Sequence, residues 1–368
     1  MQTFVISTEA EWSGWRTAWN LLTQSNPMMS LEWLGAWWRA FGASHQLHIL
    51  MVVRDQQLVG IVPCYLHDTR LGKQLRFLGS GSVCSDYLGP IVQADCAAEV
   101  YKAIHQHLCQ SVNSGELRDI ESIQLEGISA NDDWHLSLAQ FANDAGFSLR
   151  TQPMGNSWSL ELPSSWAELQ ERQRGHGVHR KAKKCIARIN SNELCVRQLT
   201  DEASLEFGMN QLIRLHQARR ESVGDKGCFA DPRFEIFLRD AISGMLAERT
   251  ACFTVCEKTE QVIGVQLLLL GSETVFMYQS GVDPNYMSLE PGHSIVTGSL
   301  SYAISEGYKA YDFLRGDEPY KAFWGAQPQS LQRIILASPT FKAQAIEAVQ
   351  RNLSWLRSCC SDLSGSGV

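Results

Sequence analysis

The sequence predicts an α/β protein of the mixed-sheet (α+β) kind, built as two units in tandem, each a mixed, largely antiparallel sheet flanked by helices. Two observations predict it. Short apolar runs bounded by polar turns read as strands and alternate with stretches whose apolar residues recur every three or four positions. The order strand, strand, helix, strand, helix in the first half then returns in the second, the mark of repeated packing units. At 368 residues the chain is too long for one small core and fits two domains of ordinary size. The expected division is an N-terminal unit at 1–163, a basic linker helix at 164–190, a C-terminal unit at 191–358 and a polar tail at 359–368.

Trp12, Trp15 and Trp19 follow helical spacing, as do Trp33, Trp37 and Phe41. They form either a packed helical face, which the spacing alone explains, or an aromatic platform for sugars. LHILMVVRDQQLVGIVPCYL gives two strands around a turn at Arg54 to Gln57. QLRFLGSGSVCSDYLGPIV reads as a strand, a Gly/Ser-rich loop and a short return, with Asp86 and Tyr87 in the loop. That pair could hold a sugar or amine, or Asp86 could cap local amides. Helices from Ala97 to Val112 and Asp132 to Ala145 flank a strand from Ser122 to Glu126 and complete the first unit.

After strand-like alternation through Trp158, Leu160 and Leu162, a helix from about Ser165 to Ile189 carries Arg172, Arg174, Arg180, Lys181, Lys183, Lys184 and Arg188. No acidic residue falls between Arg172 and Arg188. Such a block creates a local positive field. It serves either as an anion clamp or as a solvated face paired with acidic neighbours. Gly175 and Gly177 interrupt it. The second unit runs from a strand at Leu194 to Leu199 through a helix from Asp201 to Arg220, the Gly-containing loop ESVGDKGCFADP and a helix from Pro232 to Glu248. Three strands follow between Ala251 and Val282. The loop would line an acceptor site.

A helix starting after Pro291 and Gly292 leaves its first amides aimed at any anion before them. Strand Ala310 to Leu314 carries Asp312 among apolar neighbours, where desolvation would raise its pKa. It leads into Arg315, Gly316, Asp317, Glu318, Tyr320 and Lys321, a density of polar groups that points to a site at a strand end. Asp312 is either a base or a buried carboxylate tied to Arg315 or Lys321.

YDFLRGDEPYKAFWG, with GVDPNYMSLEPGHSI before it and LVGIVPCYL and FLGSGSVCSDYLGPIV in the first half, resembles the CelD-like branch of the GNAT acyltransferase superfamily. That branch is linked to exopolysaccharide and cellulose biosynthesis and is similar in build to Fem-type aminoacyltransferases. The likeness implies tandem GNAT-like domains and transfer of an acyl group from acetyl-CoA or another acyl-CoA to a sugar, nucleotide sugar or polysaccharide precursor. It further implies that Met277, Tyr278 and Gln279 meet the donor's pantetheine and that Gly292, His293 and Ser294 face its pyrophosphate. Asp312 would be the base and Tyr320 the acid for the leaving thiolate. Asp86, Tyr87, Arg315, Asp317 and Lys321 would bind substrate. The usual pyrophosphate loop, Gln/Arg-x-x-Gly-x-Gly/Ala, is replaced here by Glu290, Pro291, Gly292 and His293. In a Fem-like alternative the donor is aminoacyl-tRNA held by the basic helix; in another the chain is a non-catalytic scaffold of a polysaccharide synthase.

The remaining composition narrows the classes. A hydrophobic share of 44% with 19% charged residues describes a globular chain, and a net charge of -7 argues against a general nucleic-acid binder. Eleven scattered cysteines read as reduced thiols, with Cys359 and Cys360 near the tail, and the ten histidines have no metal-ligand spacing, so no metal is expected. No apolar run spans a bilayer and the N-terminus is unlike a signal peptide, so the expected compartment is the cytoplasm.

Overall fold

The computed structural model describes residues 1–346 apart from residues 71, 116, 118, 131 and 133. Cys359, Cys360, the expected tail, the end of the second unit and part of the expected helix start near Asp132 lie outside the described residues. The first half contains β1 (Gln2–Ile6), α1 (Glu9–Ser13), α2 (Arg16–Leu22), α3 (Leu31–Phe41), β2 (His45–Arg54), β3 (Gln57–Thr69), β4 (Gly72–Phe77), β5 (Ile91–Val92), α4 (Ala97–Ser114), β6 (Ile120–Ser129), α5 (Trp134–Ala145) and β7 (Ser148–Glu161). Two helices follow, α6 (Trp166–Arg172) and α7 (Gly177–Asn190). The second half contains β8 (Cys195–Leu199), α8 (Leu205–Glu221), α9 (Pro232–Ala247), β9 (Ala251–Lys258), β10 (Gln261–Leu270), β11 (Thr274–Val282), α10 (Pro291–Ser305), β12 (Ala310–Arg315), α11 (Pro319–Phe323) and β13 (Gln327–Ala337).

All strands join one mixed sheet of order β1-β2-β3-β4-β6-β13-β7-β12-β11-β10-β9-β8, with β5 on β3. Two pairs are parallel, β4 with β6 and β11 with β12; the others are antiparallel. The order is nearly palindromic, so the halves repeat one topology. The final strand of each half crosses over: β13 pairs with β6, and β7 pairs with β12. β7 and β13 also pair with each other from Gln327↔Ser159 to Ala337↔Ser148. Separating the halves would therefore break the sheet at its centre.

Local chemistry explains the elements. Asp55 and Gln56 join β2 to β3, and Thr259 and Glu260 join β9 to β10; each pair adopts positive φ, the two-residue turn whose twist matches the strands it connects. The tryptophans pack rather than display a platform. Trp12, Trp19, Trp33 and Trp37 are buried, and the Trp19 and Trp33 indole N–H groups donate to Met29 O and Ser85 Oγ at 2.8 and 2.9 Å. The single linker helix is divided: α6 stops at Arg172, Gly175 turns the chain at φ +87, and α7 begins at Gly177. Among the described residues no helix is long and apolar enough to cross a membrane, and every cysteine is free. No group of three or more His, Cys, Asp or Glu side chains among them could hold a metal.

Helices cover both faces of the second half. Val275 and Met277 of β11 face the core under α10, while Phe276 packs with the core shared by α3, α8 and α9. The β10 register passes from Leu268↔Met277 to Leu267↔Gln279, so Tyr278 is an extra, bulged residue that resets the alternation beyond it. Past the bulge, Gly281 faces α8. A Cβ there would stand 2.4 Å from the His216 backbone nitrogen. Gly281→Ala is expected to lower stability by about 2–3 kcal/mol, since backbone must move, and Gly292→Ala, whose Cβ would meet only Val282 at 3.7 Å, to stay within about 0.5 kcal/mol. Urea unfolding of the two variants checks this pair.

Candidate active site

The parallel strands β11 and β12 share only three residue pairs, Thr274↔Ala310, Val275↔Tyr311 and Phe276↔Asp312. Beyond Phe276, β11 continues to Val282 beside β10 alone, whereas β12 leaves it. A cavity of ≈ 490 Å³, within the usual range of small-ligand sites, is lined by Met277, Ser280, Gly292, His293, Tyr320 and Trp324, among others. It lies on the α10 side of the sheet, with one free strand edge along it. The corresponding opening beside β4 and β6 is filled by its own loop. Leu88 N donates to Gly127 O at 3.1 Å, and a Cβ on Gly127 would come within 2.8 Å of Ser85 O.

The bend in β12 is held by charges from both halves. Leu314 adopts φ +56, which a leucine takes only against steric resistance. The Leu314 N–H donates to Asp312 Oδ1 at 2.7 Å, and the Lys321 ammonium donates to the carbonyls of Leu314 and Arg315 at 2.9 and 2.7 Å. Lys321 also pairs with Glu318 at 2.9 Å. From the first half, Asp86 accepts the Arg315 backbone N–H at 2.7 Å and pairs with its guanidinium, which in turn donates to Ser85 O at 2.8 Å. Tyr87, itself at φ +58, donates its hydroxyl to Asp312 Oδ2 at 2.6 Å beside Ser157. Asp86, Asp312 and Lys321 are 0%, 4% and 2% exposed, so these contacts are made almost without water.

At the other end of the cavity α10 begins. His293 and Ser294 turn their amides onto Glu290 O at 3.1 and 3.2 Å, and Pro291 has no N–H, so Gly292 carries the amide with no protein partner among the described hydrogen bonds. The Glu290 carboxylate draws in α7: it contacts Lys181 closely and lies 3.3 Å from Lys184 and 3.8 Å from Arg188. These hydrogen bonds, Lys181 first, hold its pKa below the usual carboxylate range. With Arg172 on Glu168 and Arg174 on Glu171, five of the seven cations of the basic block are paired with an acid. Arg180 and Lys183 remain exposed.

Of the residues singled out in the sequence, Met277, Gly292, His293 and Tyr320 line the cavity together. Burial pushes the Tyr320 phenol upward, and burial with the Lys181 charge lowers His293, so at neutral pH both are uncharged. Asp86, Tyr87, Asp312, Arg315 and Lys321 converge on the β12 bend. Asp312 is on the opposite sheet face from Tyr320: it pairs with Tyr87, whereas Tyr320 packs against its neighbour Phe313, ring centroids 6.0 Å apart. Tyr278 is buried with its hydroxyl on Val83 O at 2.8 Å, Gln279 turns towards Cys228, and Ser294 is buried on Glu290 O. Asp317 sits apart, accepting from Asn156 and Trp158 at 3.0 Å each. Sequence reasoning missed Ser157, Asn156 and Trp158, which β7 brings from far away, and the Glu290 side chain, whose only signal was an acid facing a basic block.

Residues 176–322 match the acetyltransferase (GNAT) domain family, a span that runs from the start of α7 into α11 and contains the cavity's lining residues except Trp324. Among solved structures, the chain is similar to one described as FemX, at 10% identity and a TM-score of 0.63 over 90% of this chain and 97% of that one. It is also similar to a conserved protein of unknown function from Bacteroides thetaiotaomicron, at 10% identity and a TM-score of 0.59 over 92% and 100%. No curated protein sequence matches the chain. The family match covers the second half alone, whose topology the first half repeats; the likenesses to solved structures at this identity concern the fold.

Arg315→Ala leaves Asp86 buried without its cation and is expected to destabilise the protein by about 3–5 kcal/mol in urea unfolding. Asp312 supplies a pH signature. Burial pushes its carboxyl from the usual 3.8 up to about 6. The protonated form therefore favours the fold, and the stability it contributes is full below about pH 3.8 and lost as pH rises through about 6. Asp312→Asn lacks this dependence. Between about pH 4 and about pH 7.5 the stability difference should move in the variant's favour by roughly 2–3 kcal/mol.

Proposed function

We propose that the protein transfers an acyl group from an acyl-CoA to an amine or hydroxyl of a sugar, nucleotide sugar or polysaccharide precursor. The observation that carries this reading is the ≈ 490 Å³ cavity that opens where β11 and β12 part, with Tyr320 on its wall and the Gly292 amide at its end. The pantetheine arm would lie along β11 from Met277 to Ser280, where the strand has no β12 partner. The diphosphate would meet the Gly292 N–H, the His293 end of α10, and Lys181 and Lys184, whose charges now neutralise Glu290. With its pKa raised, Tyr320 keeps its proton until a thiolate leaves, which suits it to donate that proton. Asp312, whose two oxygens both accept hydrogen bonds, serves by fixing the bend and orienting Tyr87 rather than by roaming as a free base. Arg315 and Lys321 act with it.

A second reading, transfer from an aminoacyl-tRNA, is favoured by one observation: the exposed cations Arg180 and Lys183 on α7, the helix whose Lys181 and Lys184 meet Glu290 of the cavity lining. Calorimetric titration separates the readings. Binding of acetyl-CoA or a longer acyl-CoA, with release of free CoA on adding glucosamine-type acceptors, supports the first; binding of aminoacyl-tRNA alone supports the second. Absence of both would reduce the protein to a scaffold. On the first reading, Tyr320→Phe lowers kcat about 100-fold while leaving the Kd for CoA and the thermal midpoint unchanged. An unaltered kcat removes Tyr320 from the chemistry.

A further inference from the structure

The outer edge of the second half carries a groove that the proposed transfer does not use. β8 is the last strand of the sheet, and α10 lies directly on it: a Cβ on Gly298 would stand 2.3 Å from Val196 Cγ1, so a larger residue there would push helix and strand apart. Gly292 and Val296 turn towards the cavity beside β11, whereas Gly298, Ser301 and Ser305 lie on the other side of α10. On that side a cavity of ≈ 450 Å³ is lined by Trp166, Asn190, Val196, Gln198, Ser301 and Tyr302, among others. A second cavity, of ≈ 720 Å³, is lined by Thr200, Asp201, Arg249, Tyr302, Glu306 and Tyr308, among others. Tyr302 stands in both walls, so the two form one elongated groove that rounds the end of β8.

Its lining has the chemistry of a site for uncharged polyhydroxyl groups. No Asp, Glu, His, Lys or Arg among the described residues lines the first cavity. The side chains of Asn190, Gln198 and Ser301 have no hydrogen-bond partner among the described residues. An amide offers a donor and an acceptor side by side, which matches two neighbouring hydroxyls. Trp166, Tyr302 and Tyr308 pack on the core under α10 and are half-buried. Each ring is therefore held in place with part of its surface free, an amphipathic platform for the C–H face of a sugar. Three such rings along one groove fit a chain of sugars better than a single one. In the second cavity Asp201, Glu202 and Glu306 outnumber Arg249, which repels phosphates, nucleic acid and acidic glycans. Val196 and Gln198 share the α10 side of β8, so the groove lies over the face of that strand and not along the hydrogen-bonding edge that an added peptide strand would need.

We propose that this groove binds a neutral oligosaccharide, with sugar rings on Trp166, Tyr302 and Tyr308 and sugar hydroxyls on Asn190, Gln198 and Ser301. It is built entirely from residues outside the catalytic machinery proposed above. The binding therefore goes beyond the acyl-CoA reading and does not depend on it.

Calorimetric titration of the full chain with hexamers of β-linked glucose, α-linked glucose and β-linked mannose, and with the acidic hexamer of galacturonic acid, tests it. At least one neutral hexamer is expected to bind and the acidic one is not. Asn190→Ala, Gln198→Ala and Ser301→Ala should each weaken binding about 3–10-fold, the worth of one hydrogen bond to a hydroxyl. Tyr302→Ala removes the shared wall and should abolish binding, whereas Tyr302→Phe keeps it. Asn190 and Ser301 are exposed, so their variants decide the matter should Tyr302→Ala fail to fold. The proposal is overturned if no neutral hexamer binds, if the acidic hexamer binds more tightly, or if all three alanine variants bind as the wild type does. Acetyl-CoA is titrated in parallel. If it binds while the hexamers do not, the transferase reading stands without the groove; a hexamer bound where acetyl-CoA is not leaves the groove standing alone.

Discussion

The left-handed turn at Leu314 is the constraint on which the groove depends. A leucine at φ +56 resists that conformation by about 1–2 kcal/mol, so it persists only because its neighbours hold it. Asp312 takes its amide and Lys321 takes its carbonyl, while Asp86 takes the next amide along. The turn carries β12 away from β11 after three pairs, and the space so opened is the cavity. Two of the acidic groups most conspicuous in the sequence thus shape the site from behind it.

Much of this could be read in the amino-acid order. The periodicity of β9, β10 and β11, the Pro-Gly start of α10 and the cluster after Asp312 are local signals, set by side-chain alternation and turn chemistry. That a buried Asp312 needs partners can be read as well, but the sequence points to Arg315 or Lys321, whereas its partners are the Tyr87 hydroxyl and the Leu314 amide, and Arg315 pairs with Asp86 instead. What could not be read is non-local. β13 and α11 gave no prediction, and β13 takes its meaning from β6 and β7, whose pairing no window along the chain can reveal. Tyr278 and Gln279 looked like continuous strand positions; a one-residue bulge sends them away from the cavity, and nothing in their identity announces it.

The basic helix shows how a charge pattern acquires meaning from its surroundings. In sequence it is a block of cations without acids; in the fold, Glu290 gathers Lys181, Lys184 and Arg188 at the start of α10. The cations at the start of α10 are therefore already assembled and already neutralised, and any anion arriving there competes with a tethered carboxylate.

The crossing of β7 and β13 has a consequence for biogenesis. As the polypeptide emerges from the ribosome, β6 and β7 appear long before the segment that must slot between them. Until β13 is translated, the first half presents two bare hydrogen-bonding rims, the kind of surface that recruits stray strands or holdase chaperones. Closure of the molecule is thus a late, long-range event, and a truncated nascent chain would be sticky where the finished protein is seamless.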